Sequence, residues 1–273
     1  MASADKFVLA VDVGNTTTRF GLFHDQTLVG TSELTTPSHL TADDARLMAA
    51  QALRLARKTE PAVNDLAINA STDGAILSCV VPTLVDPWRE ALASVASQRP
   101  LVVGPGLKTG MRLGVDDPSE VGPDRIADAV AARASKGAPV VVVDLGTTTH
   151  IEVVNAAGNF VGGIIAPGLE LGAQSLSEAA ARLPMIEVRA PRHVIGTNTR
   201  TAMQSGVVLG EVARIDGLLD ATLEELGYEN DVPIVITGDH AASIAALLHH
   251  TTSVDETLTL RGLDLLWEFN RRA

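Results

Sequence analysis

Apolar residues in the first half of the chain form short runs that are separated by amphipathic stretches. Runs of five to eight residues between turn signals predict strands, and apolar residues at helical spacing predict helices. Thr41, with Asp44 three residues later, marks a helix start. The predicted elements are strands at 7–13, 17–23 and 27–34, a helix at 41–58, a strand at 75–81, a helix at 83–97 and a strand at 101–103.

The second half repeats this order after a loop over residues 104–118 that is rich in Gly, Pro and Asp. That loop predicts the crossing between two domains, 1–115 and 116–273, each opening on a three-stranded meander. Such an α/β protein binds ligands at strand ends, here in a cleft between the halves. The predicted elements are a helix from Ser119 or Gly122 to Ser135, strands at 140–144, 149–154 and 159–165, helices at 169–182 and 199–226, a strand at 233–237, and helices at 240–249 and 259–270.

Composition narrows the class of partner. The 273 residues are 46% hydrophobic and carry a net charge of −12, which predicts a folded protein and argues against nucleic acid or an anionic membrane as partner. No apolar run approaches the roughly 20 residues of a membrane span, and the first residues do not resemble a signal peptide. The single cysteine, Cys79, lies in an apolar run and is expected to be a core thiol. We expect a cytoplasmic protein.

A strand, an acidic residue, a glycine turn and hydroxyl residues occur twice. The two motifs are Asp12-Val13-Gly14-Asn15-Thr16-Thr17-Thr18-Arg19 and Asp144-Leu145-Gly146-Thr147-Thr148-Thr149. Each opens one half of the chain, so the pair suggests a duplicated domain with two phosphate-facing loops.

Both turns have the chemistry that a phosphate chain requires. Glycine lets backbone N–H groups approach one point closely, and the threonines add hydroxyls. Asp12 and Asp144 would hold a cation, or its waters, that bridges to phosphate oxygens. Alternatively, each Asp caps its own turn, as Asp-x-Gly sequences often do. Arg19 either reaches a phosphate or is a surface strand residue.

A third motif is Gly122-Pro123-Asp124-Arg125. Pro123 fits the first position of a helix, which puts Asp124 in the first turn, where the helix dipole favours an ionised carboxylate. Asp124 would take a proton from a substrate hydroxyl while Arg125 holds an anionic group. The alternative is an N-terminal helix charge that pairs with its neighbour.

Two other features are weaker. Gly206 and Gly210 lie on one face of the long predicted helix, which would permit close packing within the domain or across a dimer axis. The seven histidines show no metal-ligand spacing, and the His249-His250 pair is expected to interact with a helix end or with solvent.

These residues, in this order, resemble the type III pantothenate kinases from about Phe7 to Asn270. Beyond the three motifs above, the resemblance includes the run from Gly162 to Leu169, Leu183-Pro184, Gly196-Thr197-Asn198-Thr199, Gln204-Ser205-Gly206 and Thr237-Gly238.

The resemblance implies a duplicated actin-like (ribonuclease H-like) α/β fold, a homodimer and ATP-dependent phosphorylation of the primary alcohol of pantothenate, the first step of coenzyme A biosynthesis. It implies that Asp12 to Arg19 form the first phosphate loop, that Thr147 contacts ATP, and that Mg²⁺ accompanies the nucleotide. Asp144 would ligate a monovalent cation, K⁺ or NH₄⁺. Asp124 would be the general base, and Gly122 to Arg125 with Thr199 would bind pantothenate.

Two other interpretations stay open at this point. One is a related small-acid or sugar kinase, and the other is a non-catalytic or weakly active actin-like paralogue, either regulatory or a filament ATPase. Asp124 with Arg125 favours a kinase, because a filament protein needs no base for an alcohol. Asp239 stands where the family usually has a second glycine after Thr237-Gly238, and it adds negative charge there.

Overall fold

A computed structural model of the protein describes residues 6–59, 72–228 and 232–271. Two compact units divide the chain. The first contains the residues up to 131 and those from 257 onward, and the second contains residues 132–256. This division differs from the predicted boundary at residue 115, because the helix that carries Asp124 begins in the first unit and the C-terminal helix returns to it.

The first unit is built around a five-stranded sheet in the order β3-β2-β1-β4-β5. β1 pairs antiparallel with β2 and parallel with β4. Its elements are β1 (Phe7–Val13), β2 (Thr17–His24), β3 (Thr27–Thr35), α1 (Ala42–Thr59), β4 (Gly74–Cys79), α2 (Val85–Val95), β5 (Leu101–Val102), α3 (Pro123–Lys136, which continues into the second unit) and α8 (Leu258–Arg271).

Side chains of β1 alternate between two helix-covered faces. Leu9, Val11 and Val13 join the core that includes residues of α1 and α2. Val8 and Ala10 face the core that contains residues of α3 and α8. Because the side-chain period of a strand is two, Asp12 points to the face of Val8 and Ala10.

The second unit repeats this sheet, in the order β8-β7-β6-β9-β10. β6 pairs antiparallel with β7 and parallel with β9, as β1 does with β2 and β4. The elements are β6 (Val140–Leu145), β7 (Thr148–Val154), β8 (Phe160–Pro167), α4 (Leu169–Ala179), α5 (Thr199–Gln204), α6 (Gly210–Glu225), β9 (Ile234–Gly238), α7 (Ala241–Ala245) and β10 (Ser253–Val254).

The repeat extends to an irregularity in the strands. The pairing of β2 with β3 shifts register between Leu22 and Phe23, and the pairing of β7 with β8 shifts between Val153 and Val154. Both shifts fall between the sixth and seventh residues of the strand. A matching bulge in a matching topology confirms the predicted duplication of an α/β unit.

Two predicted helices and the predicted burial of Cys79 differ from what the structure shows. The long helix predicted over 199–226 contains a π-helical segment, Ser205–Leu209, between α5 and α6. The helix predicted over 240–249 is only five residues long and ends at Ala245. The chain then continues to β10, which was not predicted. Cys79 is half-buried and donates its Sγ–H to the Val81 carbonyl, so it is not a fully enclosed thiol. Within the described residues, no helix has the length and apolar character to cross a bilayer.

Candidate active site

A row of polar side chains crosses the first sheet at the end of β1. Asp12 pairs with Arg19 on β2 and with Ser78 on β4, and Arg19 pairs in turn with Glu33 on β3. Residues that lie opposite each other on neighbouring strands point to the same face. The four side chains therefore share the face that α3 and α8 partly cover.

Asp12 is the most buried member of this row, with 7% of its surface exposed. Burial is the largest cause that raises its pKa, from 3.8 to about 6, and repulsion by the Asp124 carboxylate is the second. The Ser78 hydroxyl and the Arg19 guanidinium partly offset the rise in pKa. Even so, neither Asp12 Oδ1 nor Ser78 Oγ has a hydrogen bond of normal geometry. A buried carboxylate oxygen without a donor is a ready ligand for a cation.

Asp124 lies in the first turn of α3, which begins at Pro123 as predicted. Its Oδ1 accepts a hydrogen bond from the Arg125 backbone N–H at 2.8 Å. A Cβ at residue 122 would overlap that oxygen, so only glycine leaves room for this carboxylate position. The negative charge of Asp124 contributes to the raised pKa of Asp12, so the two carboxylates interact electrostatically although they are 112 residues apart in the sequence.

The first turn exposes its tip and buries its flanks. The Gly14 N–H donates to the Thr17 carbonyl at 2.9 Å, and Asn15 and Thr16 are exposed between them. The Val13 side chain lies in the core, and Thr18 is fully buried. Thr18 shares a hydrogen bond with the Thr36 hydroxyl. The residues of this turn thus divide into an accessible tip and a structural base.

Arg19 is a partly exposed strand residue that interacts with two carboxylates. Its Nε donates to Glu33 at 3.1 Å, in an ion pair on the partly exposed part of the row. Its charge also acts on Asp12 and lowers the pKa of that carboxyl. Glu33, which sequence reasoning did not single out, thus pairs with the guanidinium that lowers the pKa of Asp12.

The second turn is one residue shorter than the first. The Gly146 N–H donates to the Thr148 carbonyl, so only Thr147 stands between them, and Thr147 is exposed. Asp144 pairs with His150 on β7 and with Thr237 on β9. The single residue at its tip offers fewer backbone N–H groups than the first turn does.

Gly238 is essential to the shape of this second site. Its φ is +84°, and a Cβ there would overlap both Asp144 Oδ1 and the Leu145 carbonyl oxygen. The backbone therefore lies directly against the Asp144 carboxylate, which brings a carboxylate and a carbonyl oxygen together. Oxygen donors of this kind suit K⁺ or Mg²⁺ better than a soft metal.

A buried carboxylate supports the second turn from the helix side. Glu211, near the start of α6, accepts a 2.6 Å hydrogen bond from the Thr149 hydroxyl, and its other oxygen pairs with Arg214. Arg214 also donates to the Pro167 carbonyl at 2.5 Å. Burial is the main cause that raises the pKa of Glu211. Sequence reasoning missed this contact, because 62 residues separate Glu211 from Thr149 and no local pattern links them.

The predicted substrate residues fall into two groups. Gly122, Pro123, Asp124 and Arg125 are together at the start of α3 in the first unit. Thr199 is the exposed first residue of α5 in the second unit, directly after the Asn198 cap.

Two solved structures resemble this chain over nearly its whole length. MreB 5 of Spiroplasma citri, solved with AMPPNP, has a TM-score of 0.53 and 10% identity over 99% of this chain and 98% of its own. A ROK hexokinase from Thermus thermophilus has a TM-score of 0.52 and 13% identity over 95% and 98%. At these identities the likeness concerns the fold alone. The protein thus has the duplicated actin-like, or ribonuclease H-like, fold that the sequence predicted.

Sequence comparison identifies the family within this fold. The family model of the type III pantothenate kinases matches residues 8–221. A type III pantothenate kinase of Exiguobacterium sibiricum is 38% identical over 97% of this chain and all of its own length. The chain belongs to the type III pantothenate kinase family, which confirms the resemblance found in the motifs.

Proposed function

We propose that this chain acts in the cytoplasm as a kinase that transfers the γ-phosphoryl group of ATP to the primary alcohol of pantothenate, in the first step of coenzyme A biosynthesis. Family membership supports the reaction. The observation that supports the site assignment is the pair of carboxylates that interact electrostatically, Asp12 at the end of β1, with a buried Oδ1 that lacks a hydrogen-bond donor, and Asp124 at the start of α3. One is enclosed and suited to a cation, and the other is half-buried and accessible to a substrate.

Asp124 is the base in this proposal. Phosphoryl transfer depends mostly on positioning and on stabilisation of charge, with the proton leaving the alcohol late. The Asp124 carboxylate accepts that proton while the Arg125 backbone N–H holds its Oδ1 in place. In the proposal the Arg125 guanidinium binds the carboxylate of pantothenate, and Thr199 also belongs to the substrate site.

The phosphate chain of ATP is assigned to the two turns. Asp12 to Arg19 form the first phosphate loop, in which the exposed tip at Asn15 and Thr16 supplies backbone N–H groups, and Thr147 contacts ATP from the second turn. The enclosed Asp12 fits Mg²⁺, and Asp144 beside Gly238 fits K⁺ or NH₄⁺. When bound, these cations supply positive charge against the phosphate oxygens. The chain itself contributes two fixed carboxylates and the hydrogen bonds that orient them.

The homodimer is a second part of the proposal. A Cβ at Gly206, Gly210 or Gly217 would meet no neighbouring atom within 4 Å in the described part of the chain. A second subunit can therefore approach the backbone of this helix closely, as a two-fold interface between small residues requires.

The test of the base assignment is Asp124→Asn, assayed by ADP release with pantothenate in the presence and absence of K⁺. We expect turnover to fall roughly 10²–10⁴-fold with ATP binding retained, because general-base catalysis contributes about that much. Asp116→Asn, which changes an exposed carboxylate in the loop before α3, is the matched control and should keep wild-type turnover.

The ADP-release assay, together with sedimentation, separates the competing functions. Near-normal turnover of the Asp124→Asn variant would remove Asp124 from the role of base. No ADP release with pantothenate by the wild-type protein, but release with another small alcohol, would indicate a related kinase. Sedimentation that depends on protein concentration, without turnover, would indicate a filament protein.

A further inference from the structure

Two aspartates on α6 and two consecutive histidines before β10 form a cluster that the proposed kinase reaction does not use. Asp216 and Asp220 are one helical turn apart on α6, and His249 and His250 lie in the segment between α7 and β10. All four belong to the second unit. We call these four residues the Asp/His cluster.

The distances within the Asp/His cluster suit a metal ion. His249 Nδ1 is 3.1 Å from Asp216 Oδ2, and His250 Nε2 is 3.0 Å from Asp220 Oδ1. One ligand atom each from Asp216, His249 and His250 can be chosen so that all three lie within 4.8 Å of one another. Ligands around a tetrahedral Zn²⁺ at about 2.0–2.1 Å are roughly 3.3 Å apart, so little movement is needed.

Hydrogen bonding alone does not account for the arrangement. His250 Nε2 is buried and close to a carboxylate oxygen, yet the contact lacks hydrogen-bond geometry. Asp216, by contrast, is held in place, because the His249 backbone N–H donates to both of its oxygens at 3.2 and 3.3 Å. A carboxylate fixed from behind by a backbone N–H is the kind of support that orients a metal ligand.

We propose that Asp216, His249 and His250 bind a divalent transition-metal ion, for which Zn²⁺ is the probe. Imidazole nitrogens with a carboxylate oxygen are the donors that Zn²⁺ accepts, whereas Mg²⁺ and K⁺ prefer oxygen alone. Asp220 or water completes the coordination, since His249 and Asp220 are open to solvent. The ion would tie the segment before β10 to α6 and so stabilise the second unit.

The proposed site goes beyond the sequence, in which the histidines show no metal-ligand spacing. Asp216 lies 33 residues before His249, and Asp216 and Asp220 have the i, i+4 spacing that places side chains on one helix face. That spacing was visible in the sequence, but its combination with a histidine pair on another segment was not.

The experiment is a Zn²⁺ titration of protein freed of metal by chelation, with a chromogenic chelator as competitor. We expect one Zn²⁺ per chain and a dissociation constant at least tenfold weaker in the variants His249→Ala and Asp216→Asn. His193→Ala, which removes an exposed histidine outside the cluster, is the matched control and should bind as the wild type does.

A second measurement does not depend on whether the variants fold. Co²⁺ added to the wild-type protein should give the visible absorption of a four- or five-coordinate ion, and an equal amount of Zn²⁺ should abolish it. Binding that is no weaker in both cluster variants, or a wild-type protein that binds no stoichiometric Zn²⁺, would overturn the proposal and leave an ion-pair cluster only.

Discussion

Replacement of Asp12 by Asn should stabilise the protein at neutral pH while it abolishes activity. Burial and the nearby Asp124 raise the pKa of Asp12 from 3.8 to about 6. Each unit of pKa difference between folded and unfolded states corresponds to about 1.4 kcal/mol. The charged Asp12 therefore costs the first unit about 3 kcal/mol at pH 7.5. An Asn side chain of the same shape carries no charge and can donate to the Ser78 hydroxyl.

The pH dependence distinguishes this cause from ordinary repacking. The raised pKa means that the folded state holds the extra proton between about pH 4 and pH 6. The destabilisation by the charged Asp12 is therefore complete at a pH above the pKa of Asp12 in the folded state. It disappears at a pH below the pKa of Asp12 in the unfolded state. The gain of Asp12→Asn should be about 3 kcal/mol at pH 7.5 and about 1 kcal/mol at pH 4.5.

The two tryptophans provide the assay. Trp88 and Trp267 are the only ones in the chain, both are in the first unit, and they are 0% and 1% exposed. Their fluorescence during urea unfolding thus follows the unit that contains Asp12. With a slope of roughly 3 kcal/mol per molar urea, the midpoint should rise by about 1 M at pH 7.5.

The control is Asp86→Asn on α2, an exposed carboxylate paired with Arg89, which should change stability by less than about 0.5 kcal/mol. Equal or lower stability of Asp12→Asn at pH 7.5 would refute the argument from burial. So would a gain that is as large at pH 4.5 as at pH 7.5.

Three further predictions follow from single side chains. Gly238→Ala should lower the free energy of unfolding by about 2–4 kcal/mol and raise the KM for ATP, because Gly238 has a φ of +84° and the added Cβ would overlap Asp144 Oδ1. Gly227→Ala, with a φ of +68° and open space around it, should show only the backbone part of that loss. Burial raises the pKa of Asp264 to about 7, so Asp264→Asn should raise the free energy of unfolding, followed by Trp fluorescence, by roughly 4 kcal/mol at pH 8, a gain that is lost as the pH falls towards 4. Asp239→Gly, which removes a negative charge from the turn after β9, should lower the KM for ATP about 2–5-fold at low salt, and an unchanged KM would contradict a role in repelling phosphate.

The sequence predicted the strands of both meanders closely, since alternation and turn residues are local signals. β1 lies at 7–13, where it was expected, and the same alternation places Asp12 on one face of the sheet. The start of α3 at Pro123 was likewise set by a local preference for proline at the first helical position. The positions of Asp12 and Asp124 within their own elements could thus be read from the chain.

Contacts between distant segments were not predictable in this way. The pair of Arg19 with Glu33 depends on the register of two strands, and that of Thr149 with Glu211 on how a helix lies over a sheet. The π-helical segment at Ser205–Leu209 contains Gly206 and two valines, which are weaker helix formers, but this local composition does not distinguish a π-helical turn from an α-helical one. These features arise from tertiary packing between distant segments, which leaves no local pattern in a single sequence.

The return of α8 to the first unit has a consequence for biosynthesis. Leu260, Leu263, Leu266 and Trp267 of this helix belong to the core on one face of the first sheet. The ribosome makes these residues only after all of residues 132–256. The second unit can therefore complete its sheet while the first sheet still lacks the helix that covers part of one face. Nascent chains arrested before Leu258 should therefore expose Val8, Ala10 and Ile76 to chaperones, although every strand of the first sheet has already been translated.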